Sequence, residues 1–140
     1  GWDVPEAALR AGLRNVDWPA RVELVRRRPW VVLGVAHNAA SAAALVSAIR
    51  EAFPGDSAAL PARRTLVFAA SSDKDLRGML AELLPFFSRI ILTTYTTNPR
   101  ATPTAALHEL AVELGRPDAE RCDAGELGAT CATLTLVSRR

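Results

Sequence analysis

The sequence predicts an α/β domain of three layers, a mostly parallel β-sheet with helices on both faces. Three observations point there. Apolar runs rich in β-formers recur at "WVVLGVA" (30–36), "TLVFAA" (65–70) and "RIILTTY" (89–95). Each leads into a stretch whose apolar residues return every three to four positions. The strand runs themselves are continuous rather than alternating, so both of their faces need cover. At 140 residues the chain has the size of one domain, and 49% apolar residues can fill its core.

The elements follow in order. "DVPEAALRAGLRNV" (3–16) reads as a helix: Asp3 and Glu6 have capping-box spacing, Pro5 suits a first turn, and Gly12 marks a stop. In "WPARVELV" (18–25), Val22 and Leu24 alternate with Arg21 and Glu23, as in an exposed or half-buried strand. Arg26, Arg27, Arg28 and Pro29 read as a solvated break. The first apolar run then feeds a helix with Leu45, Ile49, Ala52 and Phe53 on one face. The second passes through "SSDKD" (71–75) into a helix with Leu76, Met79, Leu80, Leu83 and Leu84 on one face. The third passes through "TTNPRATP" (96–103) into a helix with Leu107, Leu110, Ala111 and Leu114 on one face, closed by Gly115 and Pro117. "AERCDA" (119–124) has room for a short fourth strand, and the tail from 126 to 140 reads as helix, strand or both.

Composition excludes several functions. A net charge of +2 gives no basic stripe for nucleic acid. No apolar run is long enough to span a membrane. Cys122 and Cys131, nine positions apart, form no metal-ligand set and read as reduced thiols of a cytoplasmic protein; no metal site is expected. The chain begins at Gly1 without an initiator Met, and we expect it to be a piece of a longer protein.

In parallel sheets, ligands bind at the carboxyl ends of the strands. Three loops meet at that edge: "GVAHN", "ASSDKD" and "TTYTTNPR". Asn38 suits a helix cap, with His37 a turn residue; a His beside a helix N-terminus can equally contact an anion. Asp73 and Asp75 complement a helix start, yet Lys74, the single lysine of the chain, falls between them. Arg100 can grip a carboxylate or phosphate through two hydrogen bonds, or simply be solvated. Arg21, beside a Trp-Pro turn, says little alone. There is no GxxxxGK[ST] loop, no GxGxxG fingerprint and no nucleophile elbow. His108 lies on a helix and reads as a surface residue.

Taken in order, "LRAGLRNVDWPARVELV", "VVLGVAHNAASAAAL", "LVFAASSDKDLRGML" and "TTYTTNPRATPTAALHEL" resemble the C-terminal domain of the folylpolyglutamate/dihydrofolate synthase branch of the Mur ligase family, over roughly residues 7 to 114. The resemblance implies a Rossmann-like domain of an ATP-dependent ligase. Such an enzyme joins L-glutamate to folate, or to dihydropteroate, through an acyl phosphate. It further implies an N-terminal P-loop ATPase domain as partner, absent from residues 1–140, with ATP and Mg2+ used by the full-length enzyme and none bound by this domain alone. By the same resemblance, Arg21 approaches the nucleotide phosphates and His37 and Asn38 stand at the interdomain catalytic site. Ser72, Asp73, Lys74 and Asp75 match an "S-D-K-D" loop and Arg100 matches an "N-P-R" arginine that grips the incoming amino acid, so the resemblance implies that these five bind substrate and glutamate. Two departures stand out. The family's Asp-Gly before Ala-His-Asn is Gly34-Val35 here, and its "WPGR" is "WPAR", with Ala20 for Gly. The family's last strand, with its Gly-Ser pair, has no counterpart in the tail. Two rival expectations remain: a Mur-type ligase adding an amino acid to a cell-wall precursor, and a degenerate non-catalytic domain.

Overall fold

The computed structural model describes residues 3–27, 29–52, 64–96, 98–123 and 134–137, the last for its backbone path. The continuous apolar runs are strands: β2 (Trp30–Gly34), β3 (Arg64–Phe68) and β4 (Arg89–Leu92). Ahead of them stand helix α1 (Glu6–Arg14) and strand β1 (Arg21–Arg27). Helices α2 (Ala39–Ala52), α3 (Leu76–Leu83) and α4 (Thr104–Glu113) follow the three strands in turn, and the short β5 (Glu120–Arg121) and β6 (Leu134–Val137) complete the set. The sheet has six strands in the order β1-β2-β6-β3-β4-β5. β3 pairs parallel with β4 and β4 with β5, while β6 lies antiparallel between β2 and β3. β2 and the β3–β5 run therefore point one way, with β1 and β6 against them. The tail thus contains a strand, set inside the sheet rather than at its margin; the Gly-Ser pair is still missing from the sequence there.

One core sits between the sheet and α2–α4. Leu66 and Phe68 of β3 and Ile90 and Leu92 of β4 meet Leu45 and Ile49 of α2, Met79, Leu80 and Leu83 of α3, and Leu107 and Ala111 of α4. These are the expected apolar stripes, with two adjustments. Ala52 is exposed, its place taken by Ala42 and Val46, and Phe53 lies outside the described residues. Leu84 leaves the helix in a 3-10 turn (Leu84–Phe86) but stays buried. On the opposite face Val67 is 1% exposed and Ile91 half-buried, as a covered face requires. His108 is half-buried rather than at the surface.

Arg116 ties the turn after α3 to the end of α4. Its Nη1 donates to the carbonyls of Leu84 and Phe87 and its Nε to Asp118, so one guanidinium closes the turn after α3 against the end of α4. Gly115, with φ of 83°, supplies the left-handed residue that ends α4.

The first helix differs from expectation. Its N-cap is Pro5 with no side-chain bond, so Asp3 and Glu6 form no capping box; Glu6 instead pairs with Arg10 at 2.6 Å. Gly12 lies within the helix, which runs on to Arg14. β1 likewise continues through Arg26 and Arg27, because Arg27 pairs with Trp30 across the hairpin and stacks on its ring at 5.8 Å.

Candidate functional site

The antiparallel hairpin brings Arg21 to the edge where the parallel strands end. Arg21 pairs with Gly34, the last residue of β2, and the carbonyl of Ala20 accepts from Val35 N–H at 2.9 Å. Sequence position alone gave Arg21 no such place. Its guanidinium lies 5.1 Å from the centre of the Trp18 ring, within cation–π range. The turn is strained. Ala20 (φ 60°) and Val22 (φ 59°) both adopt the left-handed region that suits glycine, and the strand register shifts between Arg21 and Glu23. The "WPAR" departure thus falls on a residue whose backbone fits a glycine. Glu23 steadies the turn by accepting from Ala20 N–H at 2.8 Å.

After β2 the chain turns into α2. Asn38 caps this helix: its Oδ1 accepts from Ser41 N–H at 2.8 Å. Ser41 answers by accepting from His37 and Asn38 N–H at 3.0 and 3.1 Å. The Asn-x-x-Ser spacing carried this reciprocal cap in the sequence, and Ser41 went unnoticed there. The Asn38 side chain is committed to holding the loop, and its neighbour His37 is exposed at the edge.

The next two loops are stitched together. Ser71 bridges Ala101 in antiparallel fashion, Ser72 N–H donates to the Arg100 carbonyl at 2.8 Å, and Thr102 N–H donates to Ala70. Asn98 Nδ2 donates to Ser71 Oγ at 3.3 Å while Asn98 Oδ1 accepts from Arg100 N–H. This sets two cations on one carboxylate. Lys74 Nζ lies 2.8 Å from Asp73 Oδ2 and Arg100 Nη1 lies 3.7 Å from the same oxygen. The hydrogen bond from Lys74, aided by the charges of Lys74 and Arg100, holds the Asp73 carboxyl below its ordinary range. All three side chains face water, so they remain available to an incoming anion. Asp75 is separate in role: its Oδ1 accepts from Gly78 N–H at 3.0 Å and caps α3. Gly78 makes this possible, since a Cβ there would overlap the Asp75 carboxylate and come within 3.1 Å of Ala39 on α2.

Of the residues expected at the site, Ser72, Asp73, Lys74 and Arg100 therefore form one cluster; Arg21 and the His37–Asn38 loop stand beside β2 at the same edge. No hydrogen bond or ion pair joins His37 or Asn38 to the cluster among the described residues. Gly34, where the resemblance anticipates an acid, faces inward: a Cβ there would lie 2.9 Å from both δ carbons of Leu45. Leu45 fills the space that a side chain at 34 would need. No group of three or more His, Cys, Asp or Glu that could hold a metal ion occurs among the described residues, and none of their helices is long and apolar enough to cross a membrane. Lys74 and Arg100 at this edge are of the type that holds phosphate and carboxylate groups.

Comparison with known proteins agrees in fold, over a stretch that lies further toward the C-terminus than the roughly 7–114 of the sequence resemblance. Residues 20–133 match the family described as Mur ligase, glutamate ligase domain. A dihydrofolate synthase/folylpolyglutamate synthase of Mycobacterium tuberculosis is 37% identical over 116 residues, which are 81% of this chain and 22% of the relative. The structure of a folylpolyglutamate synthase of the same organism with ADP and AMPPCP superposes with a TM-score of 0.72 at 33% identity, covering 86% of this chain and 26% of that one. A bifunctional folylpolyglutamate synthase/dihydrofolate synthase from Yersinia pestis, complexed with AMPPNP and a Mn ion, gives 0.66 at 25% identity, covering 87% and 27%. The chain thus spans about a quarter of the length of these relatives.

Proposed function

Because the chain belongs to the Mur ligase family as a glutamate ligase domain, we propose that it is the C-terminal, glutamate-binding part of an ATP-dependent ligase that adds L-glutamate to folate or dihydropteroate. The observation that carries this is the pairing of Lys74 and Arg100 on Asp73, at the sheet edge that also holds Arg21. An exposed cluster with more positive than negative charge suits an incoming carboxylate. The relatives matched are folate enzymes, which favours folate over a cell-wall precursor.

In this reading the γ-phosphoryl group of ATP passes to a substrate carboxylate oxygen and ADP leaves. The glutamate amine then attacks the carbonyl carbon, a C–N bond forms and phosphate departs. Arg21 offsets charge on the transferring phosphoryl group, as phosphoryl transfer requires. Arg100 grips a carboxylate of the incoming glutamate and Lys74, shared with Asp73, adds a second positive contact. Ser72 ties the two loops together through its backbone, Asp75 and Asn38 fix the loops by capping α3 and α2, and His37 is exposed at the same edge. A preceding P-loop domain supplies the nucleotide site and the magnesium, and closure against it excludes water from the acyl phosphate. A cytoplasmic location goes with this reading.

The test is steady-state kinetics on the full-length polypeptide. Arg100→Gln is expected to raise KM for glutamate by about 10- to 100-fold with KM for ATP little changed, the loss of one charge-assisted contact. Arg21→Gln should lower kcat instead. If neither substitution affects ligation, the assignment fails.

A further inference from the structure

Among the described residues, the exposed large apolar side chains fall almost entirely between positions 4 and 25, with Val112 the exception. On α1, Leu9 and Leu13 are 54% and 67% exposed, and Val16 and Trp18 continue the apolar surface beyond it. The helix is two-sided: Ala8, Leu9, Gly12 and Leu13 share one arc, and Glu6, Arg10 and Arg14 the other. Yet it buries no residue. A nine-residue helix without a side-chain cap is too short to persist on its own hydrogen bonds, since isolated helices below about 12–15 residues are marginal. Its apolar arc must therefore be covered by something other than the sheet. The matched family domain starts at residue 20, beyond α1, and the chain spans only about a quarter of its relatives, so most of their length lies outside the part matched here. The surface also reaches the site, because the Trp18 ring lies against Arg21.

We propose that the apolar arc of α1, with Val16 and Trp18, docks on an apolar surface of the nucleotide-binding domain that precedes this one in the same polypeptide. The proposal rests on the ligase reading above for the existence of that domain. Docking there would anchor the strained Trp18–Val22 turn and so set Arg21 relative to the nucleotide.

Hydrogen exchange tests it. The amides of residues 6–14 are expected to exchange at least about tenfold more slowly in the full-length polypeptide than in the 140-residue chain, and the double substitution Leu9→Asp/Leu13→Asp should erase the difference. Equal exchange in the two proteins overturns the proposal. So does a 140-residue chain that sediments as a dimer with α1 already protected, which would make a second copy the occupant. Glutamate ligation measured on the same full-length polypeptide keeps the two readings apart. Slow exchange in an inactive protein supports docking of α1 on the preceding part of the polypeptide and refutes the ligase reading; an active protein with an unprotected α1 refutes docking alone.

Discussion

Residues 3–27 and the described residues between 30 and 123 carry the same kinds of side chain and treat them oppositely. Leu80 and Leu83 of α3 are fully buried against β3 and β4, whereas Leu9 and Leu13 of α1 keep more than half of their surface in water. α3 begins on an aspartate cap that a glycine makes room for; α1 begins on Pro5 with no cap at all. Among the described residues, the non-glycine residues with left-handed φ, Ala20 and Val22, both lie in the first region, beside Arg21. The contrast teaches that the βα units carry the fold, while the N-terminal segment leaves its large apolar side chains in water.

The largest expected effect comes from matched leucine truncations in the 140-residue chain. Leu80→Ala should cost about 2–5 kcal/mol in urea unfolding, the usual range for an apolar truncation in a packed core. Leu13→Ala should stay within about 0.5 kcal/mol, as at an ordinary surface position. A comparable cost at both positions would break the contrast.

Two glycines sharpen it. Gly78→Ala should destabilise by about 1–2 kcal/mol, because loss of the Asp75 cap and the approach to Ala39 outweigh the propensity gain of about 1 kcal/mol. Gly12→Ala meets nothing within 4 Å and should be neutral or stabilise by up to about 1 kcal/mol. Thermal unfolding of both variants reads the pair; a stabilising Gly78→Ala would contradict the role given to that cap. The smallest effect is at the turn. Ala20→Gly relieves a left-handed alanine worth about 1–2 kcal/mol, offset by an entropy cost of about 0.4–1 kcal/mol, so its unfolding midpoint should move only slightly upward. A clear loss of stability would mean that the alanine methyl makes a contact of its own.

The body of the fold was legible because three apolar runs and three helical stripes repeat the same physical demand. The loops "GVAHN", "SSDKD" and "TTNPR" reach the expected edge for the same reason. What escaped was set by pairing rather than by local pattern. The antiparallel return of β6 between β2 and β3 depends on tertiary order, and a short Thr-Leu alternation says nothing of its neighbours. Arg21 gained its place only through its register with Gly34. Gly34 itself changes meaning: at the end of β2 it faces Leu45, so an aspartate introduced there would displace a core side chain rather than simply add a carboxylate to the sheet edge. Asp3 and Glu6 had the spacing of a capping box, but Glu6 pairs with Arg10 instead. Asp75, grouped with Lys74 by sequence, is separated from it by function: its carboxylate caps α3, while the Asp73 carboxylate takes Lys74 and Arg100.

The most direct measurement of the central claim is ligation itself, followed as folate- and glutamate-dependent ADP release. The full-length polypeptide is predicted to turn over only with ATP, glutamate and the folate substrate all present, and the 140-residue chain to show no turnover under the same conditions. Ligation by the 140-residue chain alone, or none by the full-length polypeptide, would contradict the account.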